Sequence, residues 1–240
     1  GKRLRNRVLH ASITPRLGVD TRVTGRLVQY YANRAAGGVA LMVTEPLSMA
    51  RHQEVSYKVR AYDDANLEGL KRMADASESR DCRLLAQVQD PGRGRHTPGR
   101  VADPIAPTAQ PDDLSWGVAR ALTADEIRHM VEELAEASAR VKRCGFSGVE
   151  ISCGHGHLFH QFLSPWSNLR DDEYGGDRAG RTRFVAQIVD AIRSACGSDF
   201  IIGLKLPGDD GVPGSIGPAE AAAMGWELAR GRTLDYLCLA

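Results

Sequence analysis

Three histidines fall within six residues in the stretch Ile151-Ser-Cys-Gly-His-Gly-His-Leu-Phe-His160. A short apolar run, Val149 to Ile151, leads straight into them. An imidazole titrates near neutrality, so a histidine at a strand end can give or take a proton at working pH. The carboxyl ends of the other apolar runs supply Ser12-Ile13-Thr14, Thr44-Glu45-Pro46, Gln87 to Asp90, and Lys205. Together they make a polar rim of donors, one lysine cation and two imidazoles, His155 and His157. The rim has no carboxylate pair, no Ser-His-Asp order and no glycine loop for phosphates. His155-Gly-His157 would also suit a metal-dependent barrel hydrolase with Lys205 as a bridging lysine. Such enzymes carry the pair on their first strand, however, and no further strand-end His or Asp completes a ligand set, so no metal is expected.

The elements that must position this rim alternate. Val8–Ile13, Val39–Val43, Leu84–Val88, Val149–Ile151, Phe200–Leu206 and Tyr236–Leu239 read as strands. Helices are expected over 24–36, 65–79, 124–144, 181–196 and 219–230. Thr24 is an N-cap, Gly37-Gly38 a stop, and Thr123-x-x-Glu126 a capping box. Between the third strand and the 124–144 helix lies a loop rich in Gly, Pro and Arg, Pro91–Trp116. Strands alternating with helices of this length imply a parallel sheet with right-handed crossovers. No Gly-x-Gly-x-x-Gly follows the first strand, which disfavours a Rossmann domain. The pattern predicts an α/β fold, a TIM (β/α)8 barrel. Only about six of its eight strands are present, so the last strands are expected to be missing and the amino terminus slightly short. No linker interrupts the chain, and residues 1–240 are expected to form one partial barrel domain.

Composition narrows the partners. The 240 residues approach the roughly 250 of a typical barrel. A net charge of +1 gives no global field for nucleic acid or an anionic membrane, and no apolar run reaches the length of a membrane span. Five scattered cysteines without CxxC spacing point to free thiols in a reducing compartment, hence a cytoplasmic location. A small-molecule substrate is expected, with a homo-oligomer left open.

Leu4-Arg-Asn-Arg-Val-Leu9, Gly38-Val-Ala-Leu-Met-Val-Thr-Glu45, Ala86-Gln87, Gly148-Val-Glu-Ile151, Gln161-Phe-Leu-Ser-Pro165, Asn168, Arg170, Asp172-Glu-Tyr-Gly-Gly176 and Arg181-Thr-Arg-Phe184 carry a resemblance that spans nearly the whole chain. The sequence resembles the Old Yellow Enzyme family of FMN-dependent NADH:flavin oxidoreductases, closest to the branch of 2,4-dienoyl-CoA reductase and trimethylamine dehydrogenase. The resemblance implies FMN across the barrel mouth, against the chain after the first strand: Ser12, Ile13 and Thr14. Thr14 falls where the family tunes the flavin near its reactive edge. Gln87 matches the flavin-amide ligand, whose donor and acceptor suit a pyrimidine edge. Lys205 matches a cationic position, usually Arg, that stabilises reduced flavin. NADH or NADPH is the implied electron donor. An iron–sulfur cluster would belong only to a missing carboxyl-terminal part.

Departures fall on the substrate side. Where many members pair a His with Asn or His three residues on, this chain has Ser152 and His155, which are expected to bind substrate. His157 replaces the proton-donating Tyr. Pro46 sits where a backbone N–H approaches the flavin in the family, and has none to offer. Asp90 would make the substrate wall more acidic. The resemblance implies hydride transfer through flavin N5 to an activated alkene, with His157 or His155 handling the proton. The Ser-x-x-His-x-His pattern keeps oxidation of N-methyl amines as the alternative. The Arg93, Arg95, His96, Arg100 cluster could meet a phosphate-bearing cofactor or substrate, and reads first as a solvated loop. The Arg170-Asp-Asp-Glu173 run, Arg181 and Arg183 read as ties between the long loop and the barrel wall.

Overall fold

Thr24 starts the first helix as its residue type suggests. Its hydroxyl oxygen accepts from the Leu27 amide at 3.2 Å, capping α1 (Gly25–Ala36). Leu27, Tyr31, Ala32 and Ala35 form the buried stripe of α1, the spacing of a helix packed on one face. The computed structural model describes residues 2–93, 103–111, 117–231 and 234–240. In chain order these form β1 (Leu9–His10), α1, β2 (Leu41–Leu47), α2 (Leu67–Glu78), β3 (Arg83–Val88), β4 (Ile105–Ala106), β5 (Arg120–Ala121), α3 (Ala124–Arg143), β6 (Gly148–Ser152), α4 (Leu158–Leu163), α5 (Arg178–Cys196), β7 (Ile201–Leu206), α6 (Pro218–Ala229) and β8 (Tyr236–Leu239).

The chain clusters into two compact units: Gly1–Val88, Glu133–Ile151 and Ile192–Gly203 in one, Gln89–Glu132, Ser152–Ala191 and Leu204–Ala240 in the other. In the first unit β1, β2, β3 and β6 are parallel neighbours in that order. The Ile201 amide donates to the Ser147 carbonyl at 2.9 Å where β7 begins. A Cβ on Gly148 would lie 2.3 Å from the Ile201 carbonyl oxygen, so only glycine lets the two backbones meet this closely. The second unit holds the small parallel pair β4–β5 and the end of β7, whose Leu206 carbonyl accepts from Ala240 at 2.9 Å. The Thr123–Glu126 box is formed: the Glu126 amide donates to the Thr123 hydroxyl at 3.2 Å, and the Thr123 amide to the Glu126 carboxylate at 2.8 Å.

Three expectations change. β2 runs on to Leu47 rather than ending at Val43, so Thr44, Glu45 and Pro46 lie inside the strand. The register steps from Val43↔Leu85 to Pro46↔Gln87, one residue too many on β2, which is a β-bulge. The Thr44 hydroxyl stands in for the missing ladder acceptor, taking the Gln87 amide at 3.2 Å. Pairing with β1 stops at Met42, and a strand without a neighbour on one side tolerates proline. The Pro91–Trp116 stretch contains β4. An unforeseen helix, α4, follows the histidines.

Candidate functional site

In the first unit the site residues are drawn together by three adjoining segments. Ser12, just past β1, is half-buried, and its hydroxyl donates to Gln87 Oε1 at 2.9 Å. Gln87 is 4% exposed, and its Nε2 donates to Glu150 Oε1 at 3.0 Å. Gln87 and Glu150 are register partners on β3 and β6, so their side chains leave the sheet on one face. A carboxylate can only accept and Ser12 here donates, which fixes which end of the amide is oxygen and which is nitrogen. One N–H and one lone pair of Gln87 remain beyond these two bonds. Ile13 and Thr14 are exposed, Ile13 at 58%. Pro46 is half-buried opposite Gln87.

Glu45 is buried beside this group. Its amide donates to the Tyr31 hydroxyl at 2.9 Å. Burial pushes its carboxyl up to about 7, while the Arg16 amide and the Lys58 ammonium pull it down.

In the second unit Ser152 and Lys205 are buried at the ends of β6 and β7. The loop beyond Ser152 is pinned at both ends: Cys153 N–H donates to the Lys205 carbonyl at 2.7 Å and Leu158 N–H to the Asp90 carbonyl at 2.9 Å. Between the pins, His155 is exposed and His157 half-buried, their rings edge to face with centroids 6.3 Å apart. His155 and Gly156 both take left-handed backbone, φ 62° and 73°. Asp90 is turned into its own loop, where its carboxylate accepts from Gly92 N–H at 2.8 Å. That bond closes a turn at the end of β3.

Most of the expected ties are present, with Glu173 pairing to Arg128 and Arg183 donating to the Glu173 carbonyl. Arg170 donates to the Pro107 and Leu122 carbonyls at 2.8 and 2.6 Å and pairs with Asp172. Arg181 donates to the Leu163 and Gly176 carbonyls and to Glu220. Arg93 lies 5.0 Å from the Trp166 ring centroid and donates to Gln110 at 2.7 Å. Arg95, His96 and Arg100 fall outside the described residues.

Sequence reasoning missed Glu150 as a partner of Gln87. A glutamate between valine and isoleucine on a buried strand was the available signal, since such residues are seldom buried without a partner. It also missed Asp210, whose Oδ1 lies 3.0 Å from His160 Nε2. Among the described residues no group of three or more His, Cys, Asp or Glu is placed to hold a metal ion, and no helix is long and apolar enough to cross a membrane.

The donor set fits a flavin. In the first unit an amide with a spare donor and acceptor suits a pyrimidine edge, and exposed Ile13 offers an apolar surface.

Comparison with known proteins agrees in kind. The model of the NADH:flavin oxidoreductase / NADH oxidase family matches residues 1–236. A metal reductase of Desulforamulus reducens is 36% identical over 222 residues, 91% of this chain and 33% of that protein. An N,N-dimethylglycine/sarcosine dehydrogenase of Chromohalobacter salexigens is 30% identical over 220 residues, 89% of this chain and 31% of that protein. The chain thus spans about a third of the length of both relatives. The structure of morphinone reductase in complex with tetrahydroNAD matches with a TM-score of 0.85 at 30% identity, covering 98% of this chain and 70% of that one. The fold class is that of the Old Yellow Enzyme barrels.

Proposed function

We propose that this chain, which belongs to the NADH:flavin oxidoreductase / NADH oxidase family, is part of the FMN-binding barrel of an oxidoreductase that uses NADH or NADPH to reduce an activated alkene. The observation that carries the reading is the Ser12–Gln87–Glu150 line, which holds one amide in a single orientation at a strand end. A freely rotating amide would offer a heterocycle two contradictory faces; this one offers a defined donor and acceptor.

FMN, when bound, would supply the two-electron hydride chemistry that links nicotinamide to substrate. The chain's own residues do the rest. Gln87 binds the pyrimidine edge, Ser12 keeps that amide from turning, and Ile13, Thr14 and Pro46 border the ring. Lys205 supplies positive charge that favours the reduced state. Ser152 and His155 hold the substrate oxygen. His157 Nε2 or Nδ1 gives the proton that completes the reduced C–C bond and regains one from water.

A second reading is oxidation of N-methyl amines, with His155 or His157 accepting the amine proton. It is favoured by the Ser152-x-x-His155-x-His157 pattern and by the similarity to the dimethylglycine/sarcosine dehydrogenase.

Anaerobic mixing of the full-length flavoprotein with NADH, NADPH and a panel of N-methyl amines separates the two. Bleaching of the flavin by the nicotinamides alone supports the reductase, and bleaching by the amines alone supports the dehydrogenase. A full-length protein that retains no flavin overturns both.

A further inference from the structure

We propose that His160 is a positioning residue that helps set the orientation of His155 and His157 by gripping the backbone N–H of Gly156 between them. Its catalytic consequence rests on the flavin reading above; its geometry does not. The loop from Cys153 to His157 carries two successive left-handed residues, and His155, with a side chain, is disfavoured in that conformation. The turn's own bond, His157 N–H to the Gly154 carbonyl, is long at 3.4 Å, so surrounding contacts must help impose that conformation. The end pins at Cys153 and Leu158 do not act on the strained peptide. Two side chains of α4 hold the two peptide groups that flank the Gly156 α-carbon, one each. Gly156 N–H donates to His160 Nδ1 at 2.9 Å, and Gln161 Nε2 donates to the Gly156 carbonyl at 2.7 Å.

His160 can accept at Nδ1 only if its proton sits on Nε2. Asp210 enforces that tautomer, with its Oδ1 3.0 Å from Nε2. Asp210 is itself fixed: Oδ2 accepts from the Ser215 hydroxyl and from Ile216 N–H. Ser215 in turn lies 2.8 Å from the Ser164 hydroxyl at the far end of α4. A continuous line of hydrogen bonds thus runs from the loop after β7 to the amide of Gly156. His160 is 9% exposed, so water competes poorly for either nitrogen. His160 thus fixes the peptide that follows His155, and Gln161 the peptide that precedes His157.

The two nitrogens can be removed separately in the full-length flavoprotein. In His160→Asn the amide oxygen reaches the place of Nδ1 and can still accept from Gly156. In His160→Gln the amide reaches the place of Nε2, keeps Asp210 and abandons Gly156. Backbone exchange of Gly156, followed by NMR, is expected to stay within about twofold in the Asn variant and to accelerate about tenfold in the Gln variant, as for loss of one buried hydrogen bond. The kcat should follow the same order, with the KM for NADH or NADPH unmoved. Equal behaviour of the two variants, or better protection in the Gln variant, overturns the proposal. So does a wild-type 15N spectrum that puts the proton on Nδ1, which requires no variant to fold. If neither nicotinamide reduces the wild-type flavin, the functional reading falls, and the exchange comparison still decides whether His160 holds the loop.

Discussion

Glu150 and Gln87 face each other across the parallel pair β3–β6 and share a 3.0 Å hydrogen bond that leaves the glutamine amide one orientation. If that orientation is what a flavin meets, Glu150→Ala should weaken FMN binding about tenfold, the scale of one charge-assisted hydrogen bond. Glu150→Gln should do so less. Titration of FMN fluorescence checks both, and an unchanged Kd in the alanine variant would count against the assigned role of Gln87.

Lys205 should act on the redox poise. Lys205→Met is expected to lower the two-electron potential of bound FMN by about 20–60 mV, equivalent to about 1–3 kcal/mol of lost charge stabilisation. Lys205→Arg should restore most of it. Potentiometric titration that finds the methionine variant at the wild-type potential would remove Lys205 from the flavin site.

His157 should matter to only one half of the reaction. His157→Phe is expected to leave flavin reduction by NADH or NADPH within about threefold and to slow alkene reduction about 100- to 1,000-fold, as for loss of a general acid. Stopped-flow measurement of each half-reaction tests this. An equal loss in both halves would indicate a collapsed site instead.

Glu45 gives the fold a pH signature. Its carboxyl is raised from 4.5 to about 7. Below the lower value it is protonated in folded and unfolded chains alike. Between the two only the unfolded chain releases the proton, so stability falls as pH rises, by about 3 kcal/mol in all, and is level again above the folded value. Glu45→Gln should abolish that slope. Urea unfolding at intervals from pH 4.5 to 8 would show it, and a slope that persists in the variant would assign the effect elsewhere.

What the sequence revealed was what local chemistry decides. Thr24, Thr123 and Glu126 cap their helices through neighbours three residues away, and such contacts need no knowledge of the fold. Gln87 and Lys205 stood out because a polar residue closing an apolar run has few explanations. Glu150 did not, since its meaning depends on which residue β3 places opposite it. The extension of β2 was hidden for a related reason: Glu45 and Pro46 break the apolar pattern, and only the Thr44 hydroxyl and the Tyr31 phenol, brought in from α1, let the strand continue. His160 looked ordinary because Asp210, which meets its Nε2, comes from the loop after β7, far along the chain.

The short helix α4 was invisible for the opposite reason. All six of its residues are buried, so it has no polar stripe and no period to detect. The same property limits how it can vary. A helix with one wet side can drift there at little cost; α4 has no such side, and two of its members, His160 and Gln161, are also committed to the Gly156 peptide. Any replacement must preserve volume and bonding together. A stretch under both demands leaves few sequences that fit, so substitutions in α4 should cost more than those on the wet faces of the longer helices.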